Sequence, residues 1–465
     1  MKLHDTIAAI ATPIGTGGIA ILRISGSEAE AIAQRVAAAR SGLPLRSLES
    51  HKLTLCNIHK LDQPDALIDE ALVAVMRAPR SYTGEDVVEI NCHGGFFAAD
   101  RILNELLAAG ARLAEGGEFT RRAFFNGKTD LTGAEAAMDI IDSHSGLGLQ
   151  NAAQSLTGAL AKKIGALREE VIAITSHISA AADYPEEVDA PERTAAERSL
   201  AELQTGIQAL LGTFETGRML RDGILTVIAG RPNVGKSSLL NALARSDRAI
   251  VTDIPGTTRD VIEEYINLGG AALRLLDTAG IRTGADEVEQ IGIDRAKARL
   301  READLCLFVI DSAAGIAPED IRIAEELQGK NVLLLLNKTD QEVRVTREQA
   351  AEALGIQPSR VIETATPKDG PASGIDTLEA AISSMFLSGH MRSGEVYLSN
   401  TRQRDSLRKA MDALTRAMEA NRAGMPYDLL YVDLEDVLSA LGEVTGATVQ
   451  EEIIDQVFAR FCVGK

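Results

Sequence analysis

The sequence predicts a multidomain chain that combines α/β and α-helical parts. Three observations lead there. At 465 residues the chain exceeds what one core serves, which points to about three domains. Between 221 and about 385 short apolar runs alternate with helical periodicity, as in a doubly wound sheet with its ligand at the carboxyl ends of the strands. On either side, 120–216 and 386–465 carry long alanine-rich helical periodicity with few strand formers.

Residues 1–119 read as an α+β domain. Ile19–Ile24, Ala71–Met76 and Val87–Cys92 have strand character, while Glu28–Ala39 and Phe96–Leu107 have helical periodicity. In 120–216, Asp183-Tyr184-Pro185-Glu186-Glu187 and Asp189-Ala190-Pro191 divide separate helices. In 217–385 the expected strands are 224–229, 261–267, 272–277, 305–310, 332–337 and 359–363. Helical periodicity returns after Ser388 and runs to Phe461. The economical arrangement is one helical domain in two pieces, 120–216 and 386–465, with the α/β domain inserted between them.

The strand-like run Ile224–Ala229 leads into Gly230-Arg231-Pro232-Asn233-Val234-Gly235-Lys236-Ser237-Ser238 and then a helix-like run. Glycines let successive N–H groups and a helix N-terminus converge on an anion. Lys236 adds a charge for the outer phosphates, and the Ser237 hydroxyl suits Mg2+. Asp277-Thr278-Ala279-Gly280 follows a second strand and puts a carboxylate beside the metal. Thr252-Asp253-Ile254-Pro255-Gly256-Thr257-Thr258-Arg259 lies between, where a loop threonine would meet the same ion. Asn337-Lys338-Thr339-Asp340 ends a third strand, and its carboxylate would accept from N1–H and the 2-amino group of guanine. Together they predict a GTP site. Thr364-Ala365-Thr366 is expected to be the guanine-side loop, in place of the more usual Ser-Ala-Lys.

The residue after the second turn is Ile281, which cannot orient a water, so that task must fall elsewhere. Glu289, in Asp286-Glu287-Val288-Glu289, is the chosen carboxylate, with a solvated acidic loop as the other reading. Arg259 and Arg282 remain open as finger or surface residues. A monovalent cation would meet the same developing charge, and the Asn233 side-chain oxygen suits potassium.

Composition narrows the class. Hydrophobic residues make up 45% and charged residues 25%, as in ordinary globular chains. No run of 18 apolar residues exists, and the first residues lack a basic region or cleavage site, so no membrane association is expected. Cys56, Cys92, Cys306 and Cys462 are scattered without metal-ligand spacing, which fits a reducing cytoplasm. A net charge of −19 argues against a chain that wraps nucleic acid unaided.

Taken together, GRPNVGKSSLLNAL, IVTDIPGTTRD, DTAGIR with DEVEQIGI, and NKTD resemble the cation-activated tRNA-modification GTPases of the MnmE (TrmE) family. The resemblance continues through DTIAAIATPIGTGGIAILRISG, SYTGEDVVEINCHGG, GGEFTRRAFFNGKTDLTGAEA and the final Phe461-Cys462-Val463-Gly464-Lys465, and so covers essentially the whole chain. It implies a Ras-like inserted GTPase domain and a folate-binding-like N-terminal domain through which two copies dimerise. It further implies that Arg23, Glu89, Lys128 and Lys465 hold a 5-formyl- or methylene-tetrahydrofolate. Ser237 and Thr258 would ligate magnesium, Asn233, Thr252, Ile254 and Thr257 potassium, and Glu289 would be catalytic. The implied work is modification of the wobble uridine of certain tRNAs. An FAD- and NADH-using partner of the MnmG (GidA) type would form a heterotetramer with the dimer, and tRNA would bind through that complex. A ribosome-assembly or signalling GTPase, or a folate binder with a structural GTP site, are the rival readings. Cys462 reads either as a nucleophile or as a small buried residue, and His93-Gly94-Gly95 as an anion-binding or a structural turn. Gln403 stands where the family often has histidine.

Overall fold

The computed structural model describes residues 5–13, 15–61, 63–245, 264–276, 302–367, 370–387, 395–459 and 461–465. The chain forms two compact units, one gathering 1–138, 161–168 and 438–465, the other 139–160 and 169–437.

The first unit is built on a seven-stranded sheet. Its strands are β1 (Ile7–Ile10), β2 (Ile19–Ser25), β3 (Ala37–Ala39), β4 (Leu53–Lys60), β5 (Gln63–Met76), β6 (Val87–His93) and β7 (Arg112–Leu113), in the order β3-β4-β5-β6-β2-β1-β7. One face carries Leu22, Ile24, Ile58, Val73, Val88 and Ile90, all buried against the helix Phe96–Ala108 through Ile102 and Leu106. The expected helix Glu28–Ala39 is corrected. It spans only Ala29–Gln34, and Ala37–Ala39 pairs antiparallel with β4, Ala37 facing Ile58. The alanines favour helix locally, but the open edge of β4 offers their backbone a ladder.

A buried ionic network ties two of the sequence motifs together. Arg122, 1% exposed, donates to Asp5 at 2.7 Å, Glu85 at 3.1 Å and Glu118 at 3.0 Å. Arg112 adds a 2.6 Å bond to Glu118. Ser25 and Tyr82 bond to Glu85 and Thr120 at 2.7 Å each, so the 81–86 turn is fixed to the helix Glu118–Phe125.

The second unit contains a six-stranded sheet. Its strands are β8 (Ile224–Ala229), β9 (Glu264–Leu268), β10 (Ala271–Leu275), β11 (Leu305–Asp311), β12 (Val332–Asn337) and β13 (Val361–Glu363), in the order β13-β12-β11-β8-β10-β9. All pairs are parallel except the β9–β10 hairpin. β11 and β12 are buried at every position, because helices cover both faces of a parallel sheet. Around it the helix Arg193–Gly212 packs on Thr401–Arg422, joined by Arg422–Glu197 at 2.6 Å and by Arg193 to the Asn421 carbonyl at 3.1 Å. Asn151 binds the Tyr397 backbone in both directions, at 2.9 and 3.2 Å. Among the described residues no helix is long and apolar enough to cross a membrane.

Candidate active site

Four loops meet at the carboxyl ends of the adjacent strands β8, β11, β12 and β13. The loop after β8 needs special backbone. Gly230 has φ +143°, and a Cβ there would stand 2.3 Å from the Val309 carbonyl. Asn233 has φ +63°, a conformation asparagine tolerates better than most residues. Gly235 has φ +104°, and a Cβ would lie 2.1 Å from Asn337 Nδ2. The helix Lys236–Arg245 then begins, with its free N–H groups directed at the loop. Lys236 Nζ donates at 2.7 Å to the carbonyls of both Gly230 and Arg231. Burial pulls its pKa below the usual lysine value.

Asn337, buried at the end of β12, staples the loops. Its Nδ2 donates to the Val234 carbonyl at 3.0 Å, while Oδ1 accepts from Thr366 and Thr364 at 3.2 and 3.3 Å. Thr339 donates through N–H and hydroxyl to the Thr364 carbonyl at 3.2 and 3.0 Å. Lys338, with φ +64°, donates to the Asn233 carbonyl at 2.9 Å and to Asp311 at 2.6 Å. Asp340 stands exposed beyond them. Val234, Gly235, Lys236, Asn337, Lys338, Thr339, Thr364, Ala365 and Thr366 are thus one bonded platform, with Asn233 and Ser237 exposed and Ser238 half-buried at its edge.

Asp311 was not singled out from the sequence. Its Oδ1 accepts from the N–H groups of Ala313 and Ala314, at 3.0 and 3.1 Å, and Oδ2 takes Lys338. Burial opposes ionisation, but the Lys338 bond and those N–H groups outweigh it and hold the carboxyl below its usual range. An acid directly after the apolar run Leu305–Ile310 was the available signal. Thr252, Asp253, Ile254, Pro255, Gly256, Thr257, Thr258, Asp277, Thr278, Ala279, Gly280 and Glu289 lie outside the described residues, as do Arg259, Ile281 and Arg282.

The first unit gathers a second cluster. Arg23 on β2 and Glu89 on β6 are register partners, and their side chains pair at 2.8 Å. Arg23 also donates to the Gly464 carbonyl at 3.1 Å, and its guanidinium lies 4.9 Å from the Tyr82 ring centroid and 5.7 Å from that of Phe119. Lys465 is held close: burial, and then the charge of Arg23, lower its pKa. Lys128 is exposed and donates to the Pro79 carbonyl at 3.1 Å, on the loop that carries Tyr82. Gly116 and Val463 form a β-bridge beside the cluster. The buried reading of Cys462 is corrected, since its side chain is exposed. His93-Gly94-Gly95 is a packed turn, with Gly94 bonded to the backbone of Gly17 and Gly18.

Residues 131–462 match the family described as MnmE helical domain, and residues 6–128 that described as GTP-binding protein TrmE N-terminus. The chain belongs to the MnmE family. Proteins described as tRNA modification GTPase MnmE from Bacillus licheniformis and Geobacillus kaustophilus are 46% and 47% identical to it. Those matches cover 99% and 100% of this chain and 100% of each relative. The G domain of the T. maritima FeoB iron transporter is 28% identical, over 35% of this chain and 97% of that one, with a TM-score of 0.26. Like its MnmE relatives, the chain is a GTPase that takes part in tRNA modification.

Proposed function

We propose that this MnmE-family chain is a potassium-activated GTPase that helps modify the wobble uridine of certain tRNAs. It would do so as a homodimer, in a heterotetramer with an FAD-dependent partner. The substituent at uracil carbon 5 would be carboxymethylaminomethyl or aminomethyl, with a tetrahydrofolate supplying the one-carbon unit. The observation that carries this reading is the coexistence of two polar clusters in one chain, the platform around Asn337 and the cluster around Arg23.

On the platform, Asn337 and Lys338 hold the phosphate loop and the guanine-side loop in register, so both halves of a nucleotide meet prepared surfaces. The exposed Asp340 carboxylate would accept from the guanine edge. Ser237 and Thr258 would hold magnesium, which supplies charge neutralisation at the outer phosphates. Asn233, left-handed and exposed, would offer its side-chain oxygen to potassium, with Thr252, Ile254 and Thr257 as the further ligands. Glu289 would orient the attacking water in place of the inert Ile281. At the Arg23 cluster, the terminal Nη2 of Arg23 has no partner among the described residues. Together with Lys465 and Lys128 it suits ligand carboxylates, while Glu89 suits a pterin donor edge. GTP hydrolysis would gate the geometry and leave the modification chemistry to the folate and the partner.

Dimerisation through the first unit is supported by an exposed apolar face of its sheet, where Leu55 and Leu72 are register partners and Leu53 lies two residues along. Four free cysteines fit work in the cytoplasm.

The test is GTP turnover in potassium and sodium at equal ionic strength, with wobble-nucleoside mass spectrometry of a deletion strain. Much faster turnover in potassium and loss of the modified nucleoside are expected. In Asn233→Ala the potassium response should vanish with a smaller loss of nucleotide affinity. Equal rates in the two salts would refute the cation mechanism.

A further inference from the structure

Three stretches of the first unit line an open, shallow pocket of about 360 Å³ that none of Arg23, Glu89, Lys128 or Lys465 lines. Phe124 and Asp130 come from the first stretch, Gly165 and Arg168 from one face of the helix Ala159–Asp183, and Thr445 and Gly446 from the third. Volumes of roughly 300 Å³ and above suit a small organic group.

Arg168 has a buried Nε without a hydrogen-bond partner. Arg121 and Arg122 share that feature, but both bind carboxylates through their terminal nitrogens, Asp455 at 2.6 Å and Asp5 at 2.7 Å. The Arg168 side chain has no ion pair or hydrogen bond among the described residues. Buried polar groups are almost always satisfied, and a guanidinium fork fits a phosphate. The pocket's own carboxylate is engaged elsewhere: Asp130 Oδ1 accepts from the Thr132 hydroxyl at 2.6 Å and the Gly133 N–H at 2.8 Å.

The walls beside the cation are flat and bare. Gly446, with φ +90°, lays its backbone against the Phe124 ring, where a Cβ would stand 2.9 Å from the ring edge. A Cβ on Gly165 would meet nothing within 4 Å, so this wall faces open space. A half-buried arginine and an aromatic ring lining one pocket match the two parts of one unstacked nucleotide, its phosphate and its base. A chain with a net charge of −19 has little scope for a broad basic surface, so a single recessed arginine is an economical way to grip RNA.

We propose that this pocket binds one unpaired nucleotide of the tRNA, its phosphate on Arg168 and its base against Phe124. The proposal rests on the chain's part in tRNA modification. The test measures binding of an unmodified tRNA transcript to the full chain assembled with its FAD-dependent partner, for wild type, Arg168→Gln and Gly165→Leu, over a range of salt. Leucine favours helix over glycine, so Gly165→Leu keeps the fold and fills the pocket with Arg168 in place. Both variants should bind tRNA at least about fivefold more weakly, and Arg168→Gln should flatten the log–log salt slope by about 1. GTP turnover should stay at the wild-type level in both. Wild-type tRNA affinity in Gly165→Leu would overturn the pocket assignment alone, whereas a wild-type assembly that binds no tRNA would count against the tRNA reading as well. Titration with uridine 5′-monophosphate separates sources, because binding of that nucleotide with unchanged tRNA affinity in the variants would also overturn the proposal.

Discussion

Replacing Asn337 by alanine removes the staple between the phosphate loop and the guanine-side loop. Three bonds disappear, at 3.0, 3.2 and 3.3 Å. Each is between neutral groups and contributes about 0.5–1.5 kcal/mol, so the set is worth roughly 2–3 kcal/mol once the two longer bonds are discounted. The β12 ladder to β11 and β13 uses backbone groups alone and should survive. The loss therefore falls on loop order, which the nucleotide must then supply on binding. A deficit of 2–3 kcal/mol corresponds to a GTP affinity weaker by roughly 30- to 150-fold. Titration with a fluorescent GTP analogue reads this directly, and urea unfolding of the same variant bounds the global destabilisation. Thr366→Ala removes one bond and should weaken GTP by no more than about tenfold. An Asn337→Ala protein within threefold of wild-type affinity would refute the staple argument.

Asp340→Asn should lower GTP affinity by about 1.5–3 kcal/mol, the value of a charge-assisted hydrogen bond, and admit xanthine nucleotide through its 2-oxo group; a competition titration with both nucleotides decides it. Arg23→Ala should weaken a reduced folate by roughly 10- to 150-fold on the same arithmetic, with GTP hydrolysis intact, and calorimetry showing equal folate affinity would remove Arg23 from the site. The Asp311 carboxyl sits below its usual 3.8 when folded, so its stabilisation is present above that value and is lost as pH falls through the folded pKa. Acid titration of stability should therefore show a loss below about pH 4 that Asp311→Asn lacks.

The second sheet was legible because its covered parallel strands read as short, mainly apolar runs. Ile224–Ala229 and Val332–Asn337 stand where those runs predict them. The N-terminal sheet was harder. β4 displays Leu53 and Leu55 outward, so its alternation has apolar residues on both faces and no clean period. Ala37–Ala39 follows its partner strand against its own helical propensity. The site motifs showed which residues are present but not their partners. That Lys338 reaches both Asp311 and the Asn233 carbonyl follows from β11 lying next to β12, a fact of topology that no local window contains. Arg168 stayed hidden for a similar reason, since its isolation is visible only once every neighbouring carboxylate has been assigned.

The bond from Arg23 to the Gly464 carbonyl spans 441 residues of chain. On a ribosome adding about 5–20 residues per second, the arginine waits roughly 20 to 90 s for that partner. The platform around Asn337, whose bonds reach from Gly230 only to Thr366, can close long before. A growing chain therefore acquires its nucleotide-binding half first and its Arg23 cluster last. A chain cut short before Gly464 would retain the residues of the Asn337 platform and lack the carbonyl that Arg23 binds.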